Sequence, residues 1–227
     1  MSGLARCGTK ALMGLIGDEK RFLSVRKKIQ ASQRLVVLTG AGVSAESGVP
    51  TFRGKEGLWR SFRAEELATP EAFARQPRLV WEWYAWRMTL IAPLRPNPAH
   101  RAIVEMEKMS PDFLLITQNI DGLHYKAGSR RLVELHGSIW RTRCMDCGAK
   151  KEIREVPTIL PPRCEVCGGM LRPDVVWFGE EIPRSALTQS IEAVHACDVM
   201  IIAGTSGVVQ PAASFGIMAS QGGAYVI

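Results

Sequence analysis

The sequence predicts an α/β fold: a buried, largely parallel sheet that carries a separate small metal module. Three observations predict it. Short apolar runs rich in branched and aromatic residues recur at 35–39, 113–117, 133–135, 175–178, 199–203 and 225–227. Helical stretches separate several of them, at 98–109, 185–196 and 211–221. Buried strands alternating with helices build parallel sheets covered on both faces. Two Cys-x-x-Cys pairs, sixteen residues apart, interrupt that alternation.

In chain order, Asp18 is placed to cap a helix whose apolar residues Phe22, Val25 and Ile29 recur at helical spacing. Leu35 to Thr39 then form a buried strand that runs straight into Gly40-Ala41-Gly42. Pro77 opens a second helix with two stripes, Leu79, Trp83, Trp86, Leu90 and Val80, Tyr84, Arg87, Ile91. Asn97-Pro98 is a cap residue followed by proline at the first helical position, a strong helix start. The later strands and helices follow as above, with no internal repeat and no low-complexity tract.

Bulk properties narrow the classes. The 227 residues suffice for one large domain, or one with a small insertion. A hydrophobic share of 46% with 22% charged residues is globular and excludes extended disorder. No apolar run approaches the ~20 residues of a membrane-spanning helix, so no membrane partner is expected. The net charge of +7 is dispersed in short pairs such as Lys27-Lys28 and Arg130-Arg131. That pattern reads as a solvated surface, with no specific nucleic-acid partner.

Residues 1–17 lack a long apolar core, so no secretory signal is visible. The six cysteines are then expected to be reduced. Cys7 and Cys197 stand alone, while Cys144-Met-Asp-Cys147 and Cys164-Glu-Val-Cys167 supply four thiolates from a short segment. Zinc takes four such ligands tetrahedrally, and a closed shell of four is structural rather than catalytic. Gly148 and Gly168-Gly169 follow the pairs and allow the tight turns that this requires.

The strand exit Gly40-Ala-Gly-Val-Ser-Ala-Glu-Ser-Gly48 permits backbone to approach a pyrophosphate. Alone, a G-x-G is a weak signal. Ala45 stands where a dehydrogenase fingerprint has its third glycine, which disfavours plain hydride transfer.

Longer motifs carry a resemblance. Gly40 to Arg53 (GAGVSAESGVPTFR), Gln118-Asn119-Ile120-Asp121, Leu135-His136-Gly137, the two cysteine pairs, and Gly204-Thr205-Ser206 with Val208 occur in this order. Together they resemble the sirtuin family. The resemblance implies a Rossmann-type NAD-binding domain (18–56 with 104–138 and 176–227), a helical insertion (57–103) and a zinc-ribbon module (139–175). It implies NAD as co-substrate, one structural zinc ion, and acyl-lysine proteins or peptides as partners. The implied activity is NAD-dependent lysine deacylation. The acyl oxygen attacks the ribose carbon, nicotinamide leaves, an alkylimidate forms, and O-acyl-ADP-ribose is released.

By the same resemblance His136 is the general base, and a histidine titrating near neutrality suits that task. Asn119 and Asp121 would hold the nicotinamide amide, and Gln118 the ribose. Phe52 would shield the reactive ribose face and Arg53 would order the cofactor. Gly40, Ala41, Gly42, Ser44, Ala45, Glu46, Trp59, Ile120, Gly204, Thr205 and Ser206 complete the cofactor set. His124 is read as structural, and His100 and His195 as surface residues.

Tyr84 and Arg87 lie at i and i+3, on one helix face. A Y-x-x-R here resembles the sirtuin class that removes malonyl, succinyl and glutaryl groups, with Ala64 or Ala68 as the small residue of the acyl pocket. Arginine grips carboxylates bidentately. The bland alternative is an ion pair with Glu82. Val175 to Glu180 resembles the strand that pairs with substrate, with Val176, Trp177 and Phe178 around the lysine stem. The chain stops at Ile227, where the family continues into an Asn-x-Glu turn, so a C-terminally truncated cofactor site is expected. The alternatives are mono-ADP-ribosyl transfer and an inactive ADP-ribose or acyl-lysine binding module. A cytoplasmic monomer is expected, with the mitochondrion as second location.

Overall fold

The computed structural model describes residues 6–50 and 62–227, the side chains of 6–18 and Ala64 excepted. Phe52, Arg53 and Trp59 lie outside the described residues, as does the side chain of Ala64.

Five parallel strands form the main sheet: β1 (Arg34–Thr39), β2 (Asp112–Thr117), β3 (Leu132–Glu134), β7 (Val199–Ala203) and β8 (Tyr225–Val226). Their order is β3-β2-β1-β7-β8. The alternation of β1 explains why both faces are covered. Val36 and Leu38 pack with α8 (Arg184–Ala196) and α9 (Ala212–Gln221) through Val194, Phe215 and Ala219. Leu35 and Val37 pack on the other face with Ile103 and Met106 of α6 (Pro98–Met109) and with Ile29. This is a Rossmann-type arrangement. The order reverses at β1, and such a switch point leaves a crevice at the carboxyl ends of β1 and β7.

The second sheet is antiparallel, in the order β5-β4-β6: β4 (Gly137–Cys144), β5 (Lys150–Glu152) and β6 (Leu171–Val175). It shares one core with α4 (Pro70–Arg75) and α5 (Pro77–Ile91), built on Phe73, Val80, Trp81, Trp83, Met88, Ile139 and Leu171. The Trp81 indole N–H donates to the Leu171 carbonyl at 2.8 Å, tying helix to sheet. On α5 the stripe Val80, Tyr84, Arg87, Ile91 is buried, whereas Leu90 of the other stripe is exposed.

Two elements differ from expectation. The first helix, α1, runs Arg6–Ala31, so Asp18 lies inside it rather than at its cap. The run 175–178 is not a strand of the main sheet. β6 ends at Val175, and its earlier residues were masked in the sequence by Arg172, Pro173 and Asp174, all buried.

Candidate active site

A cleft of about 510 Å³ opens at the switch point. The exits of β1 and β7 meet there because neither carries side chains at the crossing. A Cβ on Gly42 would sit 2.8 Å from the Gly204 Cα, and one on Gly204, whose φ is +63°, would sit 2.4 Å from the Val43 nitrogen. The Gly42 N–H donates to the Gly204 carbonyl at 2.8 Å, and the Gly40 N–H to that of Ala203 at 3.1 Å. These glycines therefore interlock two strand exits. The Gly40 and Gly42 amides are thereby engaged with protein.

Gly40, Ala41, Gly42, Ser44, Gln118, Asn119, Ile120, Asp121, Gly204, Thr205 and Ser206 all border the cleft. Ala45 and Glu46, at the outer end of α2 (Ala41–Ala45), are exposed and outside its lining. Asn119 follows β2. Its Nδ2 donates to the Gly40 carbonyl (3.0 Å) and Ser44 Oγ (3.2 Å), which leaves Oδ1 as the end available to a donor. Gln118 Nε2 donates to Thr205 Oγ1 at 3.0 Å, bridging the exits of β2 and β7. Asp121, nearly fully buried, accepts the Leu123 N–H at 2.8 Å.

His136 stands where β3 hands over to β4. Its Nδ1 lies 3.0 Å from the Gln118 carbonyl. A carbonyl only accepts, so Nδ1 carries the proton and Nε2 keeps its lone pair. Burial pushes the His136 pKa down, opposed by the bond to Gln118. Burial thus favours the neutral ring, and the bond to Gln118 selects the tautomer of a base.

Beneath Asn119 lies a polar layer that sequence reasoning missed. Thr39 Oγ1 contacts Thr117 Oγ1 (2.8 Å) and His124 Nε2 (3.0 Å). His100 Nε2 lies 3.4 Å from Ser44 Oγ, and the His100 and His124 rings are 4.7 Å apart. His100 is fully buried, not a surface residue. Its Nδ1 accepts the Asn97 N–H in a capping box, a role its place three residues after Asn97 made legible. Burial holds His124 down at about 3 and His100 below its ordinary value. His195 is exposed, as expected.

Tyr84 and Arg87 border the cleft opposite the glycines, 1% and 5% exposed. Glu82 pairs with Arg78 at 3.2 Å. Burial pushes the Tyr84 hydroxyl up to about 12 and the Arg87 guanidinium down. Ala68 also lines the cleft. Val176, Trp177 and Phe178 border it too, but Trp177 is buried whereas Phe178 is exposed.

The four cysteine sulfurs lie within 4.8 Å of one another. Cys144 and Cys167 sulfurs are 3.5 Å apart, and those of Cys147 and Cys164 are 3.8 Å apart. A zinc tetrahedron with ~2.3 Å bonds has edges of roughly 3.8 Å. Amides of Asp146 and Gly169 donate to Cys144 and Cys167 at 3.4 Å, as amides do to thiolates. The residues fit one structural zinc.

Comparison with known proteins agrees with this geometry. A family model described as Sir2 family matches residues 40–211. An NAD-dependent protein deacylase of Aquifex aeolicus is 56% identical over 194 residues, covering 85% of this chain and 81% of that relative. An NAD-dependent protein deacylase 2 of Pyrobaculum aerophilum is 54% identical over 205 residues, covering 90% and 82%. A solved Sir2 homolog–NAD complex superposes with a TM-score of 0.85 at 52% identity, covering 90% of this chain and 80% of that one.

Proposed function

The chain belongs to the Sir2 family of NAD-dependent protein deacylases, and on that premise we propose that it prefers acyl-lysines whose acyl group ends in a carboxylate: succinyl, malonyl or glutaryl. Deacetylation is the secondary activity. The observation that carries this reading is the buried pair Tyr84 and Arg87 on the cleft wall. A carboxylate entering the cleft would meet a guanidinium and a phenol from one helix face, and charge-assisted hydrogen bonds of that kind are the strong ones.

On this reading residues 18–56, 104–138 and 176–227 bind NAD, and 57–103 with 139–175 close over the acyl side. NAD supplies the ribose carbon to which the acyl oxygen transfers as nicotinamide leaves. His136 Nε2 takes a proton from a ribose hydroxyl, with Nδ1 held by the Gln118 carbonyl. Asn119 Oδ1 accepts from the nicotinamide amide. Asp121 sits beside it, its carboxylate held by the Leu123 amide. Gln118, Thr205 and Ser206 face the ribose, with Phe52, Arg53 and Trp59 completing the cofactor contacts. Acyl-lysine proteins thread past Val176 and Phe178. The N–H groups of Val176, Trp177 and Phe178 already donate to His136 O, Glu180 Oε2 and Ala68 O. A substrate strand pairing here therefore donates its own N–H groups to this segment's carbonyls.

Nicotinamide release from NAD with matched succinyl- and acetyl-lysine peptides tests the preference. Wild type should show the higher kcat/KM with succinyl. Arg87→Met removes a charge-assisted contact of ~1.5–3 kcal/mol and should lower succinyl kcat/KM by roughly 10–150-fold, with a far smaller effect on acetyl. Equal losses with both peptides would refute the carboxylate role.

A further inference from the structure

We propose that Trp177 is a specificity-positioning residue: its indole N–H fixes the Tyr84 hydroxyl so that the phenolic proton faces the acyl pocket. The inference rests on the acidic-acyl reading above and supplies its second half, since an arginine alone does not determine which way the tyrosine hydroxyl points.

Trp177 Nε1 lies 2.8 Å from Tyr84 Oη, and both side chains are buried. Indole N–H only donates, so the tyrosine oxygen accepts in this bond and its own proton points elsewhere. Arg87, on the same face of α5, has only donors and cannot take that proton. The pair therefore presents a guanidinium and an O–H donor together. A carboxylate accepts from both, whereas the acetyl methyl accepts from neither. The raised pKa of Tyr84, about 12, keeps the proton in place across the working range.

Trp177 is itself held tightly. The Arg172 guanidinium lies 3.3 Å from the ring centroid, and Phe73 packs at 5.2 Å. Arg172 is bidentate to Glu180, with Nη1 to Oε1 at 2.6 Å and Nη2 to Oε2 at 2.9 Å. Glu180 Oε2 in turn accepts the Trp177 N–H at 2.9 Å, and Arg172 Nη2 donates to the Val175 carbonyl at 2.9 Å. This partly buried ion pair thus locks both the backbone and the ring of Trp177. The residue expected beside the lysine stem thus borders the cleft while its indole is held in this assembly.

The test uses Trp177→Phe, which keeps an aromatic ring on Arg172 and Phe73 and removes only the N–H and the second ring. Succinyl kcat/KM should fall about tenfold more than acetyl kcat/KM. Tyr84→Phe should do the same, and the double variant should lose no more selectivity than either single one. Equal losses with both peptides, or selectivity losses that multiply in the double variant, would overturn the positioning role. Arg87→Met, run alongside, separates the two ideas. If it collapses selectivity and Trp177→Phe does not, only the Trp177 inference fails. If it leaves selectivity intact, the acidic-acyl reading fails and takes this inference with it. Thermal melts of each variant identify a selectivity loss that merely follows unfolding.

Discussion

Replacing Gly137 by alanine should damage both stability and catalysis, and the structure sets the size of each effect. Gly137 follows His136 and opens β4 with φ at +73°. A Cβ there would lie 2.0 Å from the Asp174 carbonyl oxygen on β6. Two costs follow. The left-handed backbone costs an alanine ~1–2 kcal/mol. The overlap forces β4 and β6 apart by roughly 1.5 Å to reach ordinary contact. That movement endangers the pairing of Gly137 with Val175 and the Val176 N–H bond to the His136 carbonyl at 2.9 Å, each worth ~1 kcal/mol. Gly223 provides the control, because its φ is +90° and nothing lies within 4 Å of its added Cβ. Gly223→Ala should cost the backbone term alone. The ~2 kcal/mol difference corresponds to roughly 4–8 °C in Tm for a chain of this size. Misplacing a catalytic group by ~1 Å can cost ~100-fold, so Gly137→Ala should also lose about that much in kcat/KM. Calorimetry and nicotinamide release read the two effects. Equal Tm losses in the two variants, or a Gly137→Ala enzyme with more than a tenth of wild-type activity, would show that the β4–β6 approach is not what requires the glycine.

Two further outcomes follow from the same geometry. On the proposed mechanism His136 is the base in its neutral form, and burial lowers its pKa, so the active form persists to lower pH than for an ordinary histidine. The acid limb of kcat/KM should lie below pH ~6.5; a limb above that value would contradict the lowered pKa. For the metal, atomic spectroscopy should find one zinc per chain. Removing it should lower Tm, because Cys144 and Cys164 belong to the core that contains Tyr84 and Trp177, and should weaken acyl-peptide binding more than ADP-ribose binding. Metal-free protein with an unchanged melt would refute the structural role.

What was legible in the sequence was whatever local chemistry decides. The four cysteines, the Asn97-Pro98 cap and the β1 run into glycines needed only spacing and propensity. Thr39 and Thr117 end two apolar strands, and their shared register and hydrogen bond were available to a reader who asked why both end in the same residue. β6 was not legible, because Leu-Arg-Pro-Asp-Val does not look like a buried strand. It is buried because the Arg172 charge is met by Glu180 and the Asp174 charge by Arg141 at 2.6 Å and Lys150 at 3.1 Å. Those partners come from other strands and loops, and a linear pattern does not display them. His100 was half legible: its cap with Asn97 is local, but its ring is also withdrawn under the cleft floor by contacts with Ser44 and His124, which are not local in sequence.

The placement of the base follows from where the chain crosses between its two sheets. β3 belongs to the parallel sheet and β4 to the zinc-side sheet, and His136 lies in the short link between them. A residue on such a link would normally follow whichever side moves. Here the imidazole is bonded to the Gln118 carbonyl, one residue beyond β2, so the ring stays with the cofactor side. The His136 carbonyl, by contrast, accepts from Val176, one residue beyond β6, so its backbone is tied to the zinc-side sheet. One residue therefore measures the distance between the two halves of the cleft. An opening that separates them strains both bonds. On the proposed mechanism, the base reaches a ribose hydroxyl when the segment after β6 and the strand exits are correctly spaced. Gly137 makes that arrangement possible, since β4 there approaches β6 too closely for a side chain.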